Sequence, residues 1–347
     1  MFNRKIVIWY EKNKRTLPWR DTKSAYRIWL SEIILQQTRV AQGLGYFEKF
    51  IETYPTLKEL ALANEEEVLR LWQGLGYYSR ARNLLYTARF IQNELGGLFP
   101  TTYKELLKLK GVGPYTAAAI ASFAYGEPVA VVDGNVFRVL ARVFGIEEDI
   151  ASPKGQKVFQ KLAQELILHD QPSIYNQAIM EFGALQCTPV NPKCTVCPLV
   201  NECVAFEQRK QDKLPIKKKK IKIKHRYFYY FIIEWEDKIV LKKRTGKDIW
   251  INLYDFPLIE TKKAVTSIDT LFESSDFGDL LSTGTLKVDY QEHKHVLSHQ
   301  KIYAIFSKIR LSNLTLEDQK LTFYTKKEVD ELPKPVLIDN YLKEHYR

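Results

Sequence analysis

The texture of this sequence changes once, and that change limits the fold more than any single motif does. Up to about residue 203, apolar residues recur at spacings of three and four. Ala and Leu are common, and breakers stand between segments at Pro55, Gly96-Gly97, Pro100, Gly126 and Pro128. From about 227 the pattern becomes short runs rich in β-branched and aromatic residues, Tyr227-Phe-Tyr-Tyr-Phe-Ile-Ile, Lys238-Ile-Val-Leu and Ile302-Tyr-Ala-Ile-Phe, separated by charged turns. The first part predicts an all-α body and the second an α+β body built on a sheet. With 347 residues there is length for two or three domains with real cores, and no internal repeat suggests a solenoid.

The junction carries most of the charge. Residues 207–226 hold ten Lys or Arg against Glu207 and Asp212, whereas 227–347 are nearly neutral, so the net +11 of the chain is concentrated in a basic interdomain linker. Clustered cations suit a polyanion such as DNA, whose phosphates release counterions on binding; a solvated linker that only aids solubility is the plainer reading. No run approaches 18 uncharged apolar residues, and the short apolar stretch after Met1-Phe2-Asn3-Arg4-Lys5 does not make a signal peptide. A cytoplasmic protein without a membrane role is expected.

All four cysteines fall within seventeen residues as Cys187, Cys194, Cys197 and Cys203, a C-x6-C-x2-C-x5-C array. Disulfides do not persist in a reducing compartment, so the array points to one metal centre. Zinc usually brings two C-x2-C knuckles and only Cys194 and Cys197 make one, so an iron–sulfur cluster competes with it. A second motif, Leu107-Lys-Leu-Lys-Gly111-Val-Gly113-Pro-Tyr-Thr, lies between two helical patterns with a helix opening at Pro114. Such a turn leaves backbone N–H groups uncovered at a helix N-terminus, where a phosphate binds without regard to sequence.

Two carboxylates stand in contrasting settings. Asp133 follows Val129-Ala-Val-Val and precedes a helical segment, the position of an ordinary N-cap. Glu32 has Ile28, Trp29 and Leu35 at i−4, i−3 and i+3, which sets its carboxyl against an apolar stripe: a Glu there is either an exposed edge residue, the usual case, or a carboxyl whose pKa is raised by desolvation so that it can donate a proton near neutral pH. Breaking an N-glycosidic bond calls for such a pair: an acid to protonate the leaving base, and an ionised group beside the developing oxocarbenium ion.

The cysteine spacing and the hairpin resemble those of the endonuclease III-like helix-hairpin-helix DNA glycosylases. Within them the chain resembles the adenine DNA glycosylases of the MutY kind. Thr16-Leu-Pro-Trp-Arg20, Ser31-Glu32 through Gln37-Thr38, Gly74-Leu-Gly-Tyr77-Tyr78-Ser-Arg80, Gly111 to Thr116, Val132-Asp133-Gly-Asn135 and the four cysteines match that family in order.

The resemblance implies a multidomain architecture. An iron–sulfur subdomain is formed by 1–23 with 130–206, and a six-helix barrel with the helix-hairpin-helix by 24–129. The basic linker is 207–226, and a Nudix-like α+β lesion-recognition domain is 227–347. It implies a monomer that is nucleoid-associated in the cytoplasm and acts on duplex DNA carrying A opposite 8-oxoguanine or G. A [4Fe-4S] cluster would be held by Cys187, Cys194, Cys197 and Cys203. Glu32 would be the general acid/base at N7 of adenine, and Asp133 would stabilise or transiently bond C1′. Tyr115 and Asn135 would line the reaction site, and Arg20 would support the flipped base. Gly111 and Gly113 would hold the DNA backbone, and Gln37 and Tyr77 would wedge into the duplex the base has left.

In lyase-competent relatives a lysine stands where this chain has Tyr115. Tyrosine forms no imine, so a monofunctional hydrolase is expected rather than an endonuclease III-like glycosylase/lyase for oxidised pyrimidines.

In the second half, Trp250-Ile-Asn-Leu-Tyr-Asp255-Phe256-Pro257 resembles the segment that precedes a Nudix box, but 261–281 contain no Arg and no Glu-Glu pair. A Mg²⁺-dependent pyrophosphohydrolase is disfavoured. Leu297-Ser298-His299 matches the family's Phe-Ser-His lesion-reading loop with leucine replacing the aromatic. His293 and His295, on one face of a strand, are expected to be solvent-facing or DNA-facing polar residues rather than metal ligands.

Overall fold

The computed structural model describes residues 2–218, 223–265, 267, 271, 284–312 and 321–346, with the backbone alone for 284–291. Parts of the basic linker (219–222) and of the stretch lacking a Nudix box (266, 268–270 and 272–281) therefore lie outside the described residues. The chain forms two compact units, 1–62 with 83–219 and 63–82 with 220–347.

The first unit is helical throughout, as the periodicity predicts. Its elements are α1 (Phe2–Asn13), α2 (Ala25–Leu35), α3 (Val40–Thr53), α4 (Leu57–Leu62), α6 (Ser79–Glu94), α7 (Tyr103–Leu106), α8 (Pro114–Tyr125), α9 (Gly134–Phe144), α10 (Pro153–Leu166), α11 (Pro172–Leu185) and α12 (Val204–Glu207); α5 (Glu65–Leu71) and the first turn of α6 belong to the second unit. Two features bring together the helices that carry chemistry. Helix α8 is lined by Ala117, Ala118, Ala119 and Ala121, all buried, and these small side chains let α2 and α11 approach closely. On α2, Trp29, Ile33 and Ile34 are buried, each contributing about 1.5–3 kcal/mol of apolar burial. Gly183 of α11 sits where a Cβ would meet the Asn135 Cβ at 2.7 Å and its carbonyl oxygen at 2.9 Å, so only glycine allows α11 to lie against the start of α9.

A separate core joins α1 to the later helices, with Phe2, Ile6 and Tyr10 packed among Val139, Leu140, Phe159, Phe182 and Leu199. The 129–132 run lies outside any helix or strand. Buried Asn176 holds it in place by accepting from the Val131 N–H (3.1 Å) and donating to the Val129 carbonyl (2.9 Å).

The second unit is built on a sheet of β1 (Lys224–Trp235), β2 (Lys238–Val240), β5 (Leu258–Thr261), β6 (Gly284–Val296), β7 (Gln300–Leu311) and β8 (Phe323–Thr325). The order is β6-β7-β1-β2-β8, with β5 pairing β1 as well; β1 and β7 run parallel and the other pairs antiparallel. β3 (Lys242–Lys243) and β4 (Tyr254–Asp255) form a small ribbon. Helices α13 (Lys326–Glu331) and α14 (Val336–His345) close the chain. The aromatic run in β1 is explained by burial on both faces: Phe228, Tyr230, Phe231, Ile232 and Ile233 are all fully covered, as for a central strand.

The grouping differs from the division read from sequence: the barrel 24–129 and the subdomain 1–23 with 130–206 fall in one unit together with most of the linker 207–226, and 63–82, part of that barrel by sequence, groups with the sheet. The polar side chains of 63–82 explain its place. Glu65 accepts from Asn252, Glu66 binds Lys243 and the Tyr254 hydroxyl, Gln73 accepts from the Lys334 N–H, and the Tyr78 hydroxyl donates to the Lys334 carbonyl. Among the described residues, no helix is long and apolar enough to cross a membrane.

Candidate active site

Glu32, Asp133, Tyr115 and Asn135, separated by as much as 103 positions in the chain, line one cavity of about 660 Å³ in the helical unit. Glu32 projects from α2 and is almost completely buried. Burial drives its pKa up to about 7, with Asp133 adding to the rise, while a hydrogen bond from Tyr115 and the charge of Arg20 oppose it. The carboxyl therefore titrates near neutral pH, the second of the two settings that the apolar stripe of α2 allows.

Asp133 is both the N-cap of α9 and a wall of this cavity. Its carboxylate accepts from the Asn135 N–H (2.9 Å), the Val136 N–H (2.8 Å) and the Asn135 side-chain amide (2.7 Å). Burial raises its pKa, and these three donors together with Arg138 act in the opposite sense by favouring the ionised form. Burial and the two neighbouring carboxylates hold the Tyr115 phenol well above its ordinary range, so it stays a neutral donor. Gln36, just past α2, donates to Thr116 of α8 (3.2 Å) and fixes the two helices that carry Glu32 and Tyr115.

The hairpin places Gly111 at φ +79°, a conformation that favours glycine, with its Cα against Asn83. Gly113 is extended and caps α8 with no side chain over the helix start, which leaves the first N–H groups open. Gln37 is exposed at φ +55° just after α2, and Tyr77 is exposed at φ +49° in the second unit. Both residues expected to wedge into DNA are thus non-glycine residues held in the sparsely populated left-handed region, a cost that a fold retains where a protruding side chain must be aimed.

Arg20 lines the cavity, but its guanidinium is taken. It forms a paired contact with Glu181 of α11 (2.9 and 2.7 Å), and Arg15 grips the same carboxylate at 2.8 and 2.6 Å. Burial alone would raise the Glu181 pKa, yet the two arginines hold it down to about 2. The expectation that Arg20 serves the flipped base directly has to accommodate this buried partner. Sequence reasoning missed Glu181; its signal is a carboxylate on the inward side of Ile179-Met-Glu-Phe-Gly, which requires a cation. Arg138 was missed as well. It donates to the Asn135 side-chain oxygen (2.8 Å), the Gly183 carbonyl (2.7 Å) and the Cys187 carbonyl (2.7 Å), tying the α9 start to the cysteine segment.

Cys187, Cys194, Cys197 and Cys203 are half-buried, unpaired by disulfides, and line one small cavity with Phe182 and Leu199. Each sits at a local turn: Cys187 follows α11, Cys194 and Cys197 bracket a 3₁₀ turn, and Cys203 precedes α12. Buried Arg142 lies 3.5 Å from the Cys187 sulfur and donates to the Thr188, Pro189 and Leu214 carbonyls. Among the described residues, no three His, Cys, Asp or Glu side chains close together as a single bound ion requires. The four cysteines line this one space beside the Arg142 guanidinium, a thiol-rich lining that fits a metal centre.

In the second unit, Tyr77, Trp250, His295, Leu297, Ser298 and His299 line a cavity of about 800 Å³. The Tyr77 hydroxyl is hydrogen-bonded to that of Ser298. Arg226 and Arg244 both bind Asp248, fixing the loop that presents Trp250. His293 departs from expectation because aromatic packing covers it, whereas His295 lines this cavity. His293 packs edge-on to Phe306 (5.1 Å), and His295 lies 5.9 Å from Trp250 with its pKa lowered by burial.

These geometries coincide with what the chain is similar to. Residues 30–167 match the HhH-GPD superfamily of base excision DNA repair proteins, and 229–344 match the NUDIX domain. The chain is 36% identical to an adenine DNA glycosylase of Buchnera aphidicola (subspecies Schizaphis graminum), covering 97% of this chain and 96% of that one. It is 45% identical to the Homo sapiens adenine DNA glycosylase over 61% of this chain and 41% of the human one. Among solved structures, a thermostable thymine-DNA glycosylase superposes with a TM-score of 0.56 at 31% identity, covering 60% of this chain and 95% of that one. An endonuclease III–DNA complex shares the fold at 23% identity and a TM-score of 0.53, with the same coverage. The near-complete overlap with the Buchnera enzyme, on a helical domain followed by a NUDIX-type domain, places this chain in the adenine DNA glycosylase family.

Proposed function

We propose that this enzyme hydrolyses the N-glycosidic bond of adenine mispaired with 8-oxoguanine, and less well with guanine, in duplex DNA. The observation that carries the reading is Glu32, a buried carboxyl whose pKa is raised to about 7, sharing a cavity with Asp133, a carboxylate held by three N–H donors.

The protonated Glu32 donates to N7 of a flipped adenine and converts a poor leaving group into a neutral base. Asp133 faces the positive charge that develops at C1′ as the bond breaks. Tyr115 holds the Glu32 carboxyl in place and, lacking an amine, leaves the sugar intact for attack by water. The product is an abasic site rather than a cut strand. Asn135, fixed by Arg138, orients Asp133. Open N–H groups at Gly113 and the start of α8 receive a backbone phosphate, and Gln37 and Tyr77 fill the gap left by the base. Arg20, paired with Glu181, shapes the wall beside the base.

Ser298 and His299, in the second cavity, face the partner base. 8-Oxoguanine differs from guanine by an N–H at N7 and an oxygen at C8, and a hydroxyl answers the N–H as acceptor. Cys187, Cys194, Cys197 and Cys203 would hold a [4Fe-4S] cluster that ties their loop to α9 and α11. Iron and acid-labile sulfide in equal amounts, without stoichiometric zinc, is the expected content. The protein is expected to act as a monomer.

The test is a gel assay on duplexes carrying A opposite 8-oxoguanine, G or T. The expected result is alkali-dependent cleavage at A, fastest opposite 8-oxoguanine, with strands intact before alkali. Cleavage without alkali, or at oxidised pyrimidines instead, would favour a glycosylase/lyase and overturn the reading.

A further inference from the structure

The end of the β1–β7 sheet where β1 begins carries a feature that excision does not use. In the β1–β7 register, Tyr227 lies opposite Tyr303 and His225 opposite Lys301. Across β6–β7, Lys294 lies opposite Tyr303 and Val296 opposite Lys301. Directly paired residues share a face, so these six side chains stand together, on the side opposite His295 and Phe228. Three of them form a column of nearly parallel rings. Tyr227 stacks on Tyr303 at 5.1 Å and 16°, and Tyr303 stacks on His225 at 5.7 Å and 11°. The Tyr303 hydroxyl is 3.0 Å from His225 Nδ1, which locks the two rings together.

One end of this column is anchored, because Tyr227 packs against the core formed by Tyr229, Phe231 and Ile309. The other end is His225, which is exposed. Lys294, also exposed, holds its ammonium 5.8 Å from the Tyr303 ring, and the basic linker enters β1 at Lys224. Glu292 is an exposed carboxylate on the same strand as Lys294. A preformed π-face edged by lysines is complementary to a ligand that offers flat rings and regularly spaced negative charge. Bases in a duplex hide their faces, whereas an unpaired strand presents them.

We propose that the His225–Tyr303–Tyr227 column is a stacking platform for single-stranded DNA, used in addition to the duplex contacts of the excision site. An unpaired base continues the column on the free face of His225, and its phosphates meet Lys294 and Lys301. Stacking on such a platform contributes about 1–3 kcal/mol per base, roughly 5- to 150-fold in affinity.

The test is fluorescence anisotropy of a labelled oligothymidylate with the full-length protein, in excess unlabelled duplex that occupies the excision site. His225→Ala is expected to weaken oligothymidylate binding at least about fivefold, and His225→Trp to restore or exceed it. Lys294→Glu should weaken both oligothymidylate and an abasic oligomer of equal length, whereas His225→Ala should leave the abasic oligomer unaffected. Tyr303→Ser repeats the test from inside the column, and unchanged duplex excision reports that each variant is folded. Equal loss on both oligomers, no change in His225→Ala, or no binding once duplex is in excess would overturn the platform. Stronger competition by an acidic aromatic peptide than by oligothymidylate would reassign it to a protein partner. Failure of wild-type excision would count against the proposed function and not against this contrast.

Discussion

The two cavities of this molecule are built on opposite principles. In the helical unit the candidate catalytic groups are buried and each is bonded to fixed partners. Glu32 is covered and bonded by Tyr115, Asp133 takes three N–H donors, and Arg20 is locked to Glu181. In the second unit the hairpin residues Ser298 and His299 are exposed, held by one hydroxyl contact to Tyr77 and a neighbouring Gln300 amide. Chemistry at a glycosidic bond needs groups whose pKa values have been moved before substrate arrives, and burial does that. Reading a partner base needs donors and acceptors that can reach a groove, and exposure supplies that. Mutations in the first cavity should therefore act on rate and stability, and those in the second on preference between mispairs.

The largest expected effect is at the acid. Glu32→Gln should lower single-turnover adenine release by at least about 10²- to 10⁴-fold with duplex binding largely retained, and Asp133→Asn should be similarly impaired. Release within a few-fold of wild type in either would erase the distinction between the cavities.

Next comes Glu181→Gln, which leaves Arg15 and Arg20 without their shared carboxylate. Breaking a buried pair in this way costs about 3–5 kcal/mol, read as a lower midpoint in denaturant unfolding. The sign with pH follows from the depressed pKa. The stabilisation from Glu181 is present above its ordinary value of 4.5 and fades as pH falls toward about 2, so wild type and variant should converge in acid. A constant gap down to low pH would mean that packing, not charge, is what the residue supplies.

The smallest effect should fall on the exposed hairpin. Ser298→Ala combined with His299→Ala should cost one to two decades at A opposite 8-oxoguanine, in line with about 1–3 kcal/mol for a lost polar contact, and much less at A opposite G. Leu297→Phe should shift that preference less than the double variant does. Equal losses on both mispairs would show general DNA affinity and sharpen the contrast in the other direction.

The same division explains what the sequence made legible. The Glu32 environment followed from local helical spacing, and the cap at Asp133 from the run before it; both depend on neighbours within a few residues. That the second part holds a sheet followed from its texture; the strand order and the central place of the aromatic run in β1 did not, because they depend on pairing between strands far apart in the chain. Glu181 and Arg138 escaped because their roles depend on partners far away in sequence, Arg15 and Arg20 for one and the Cys187 carbonyl for the other. The grouping of 63–82 with the sheet unit was hidden for the same reason: the helical pattern of α5 says that a helix forms, and not what its acidic residues will bind. The half-buried packing of His293 was missed because strand alternation fixes a face without saying what covers it.

In the proposed reaction a buried glutamate, half-protonated near neutrality, donates the proton that releases adenine. This step is tested most directly by the pH dependence of single-turnover adenine release from duplexes with A opposite 8-oxoguanine. Burial raises the Glu32 pKa to about 7 and the Tyr115 hydrogen bond lowers it. The rate should therefore fall about tenfold per pH unit above an inflection near 7, and the inflection should move to higher pH in Tyr115→Phe. A rate independent of pH from 6 to 9, or an inflection unmoved by Tyr115→Phe, would contradict the account.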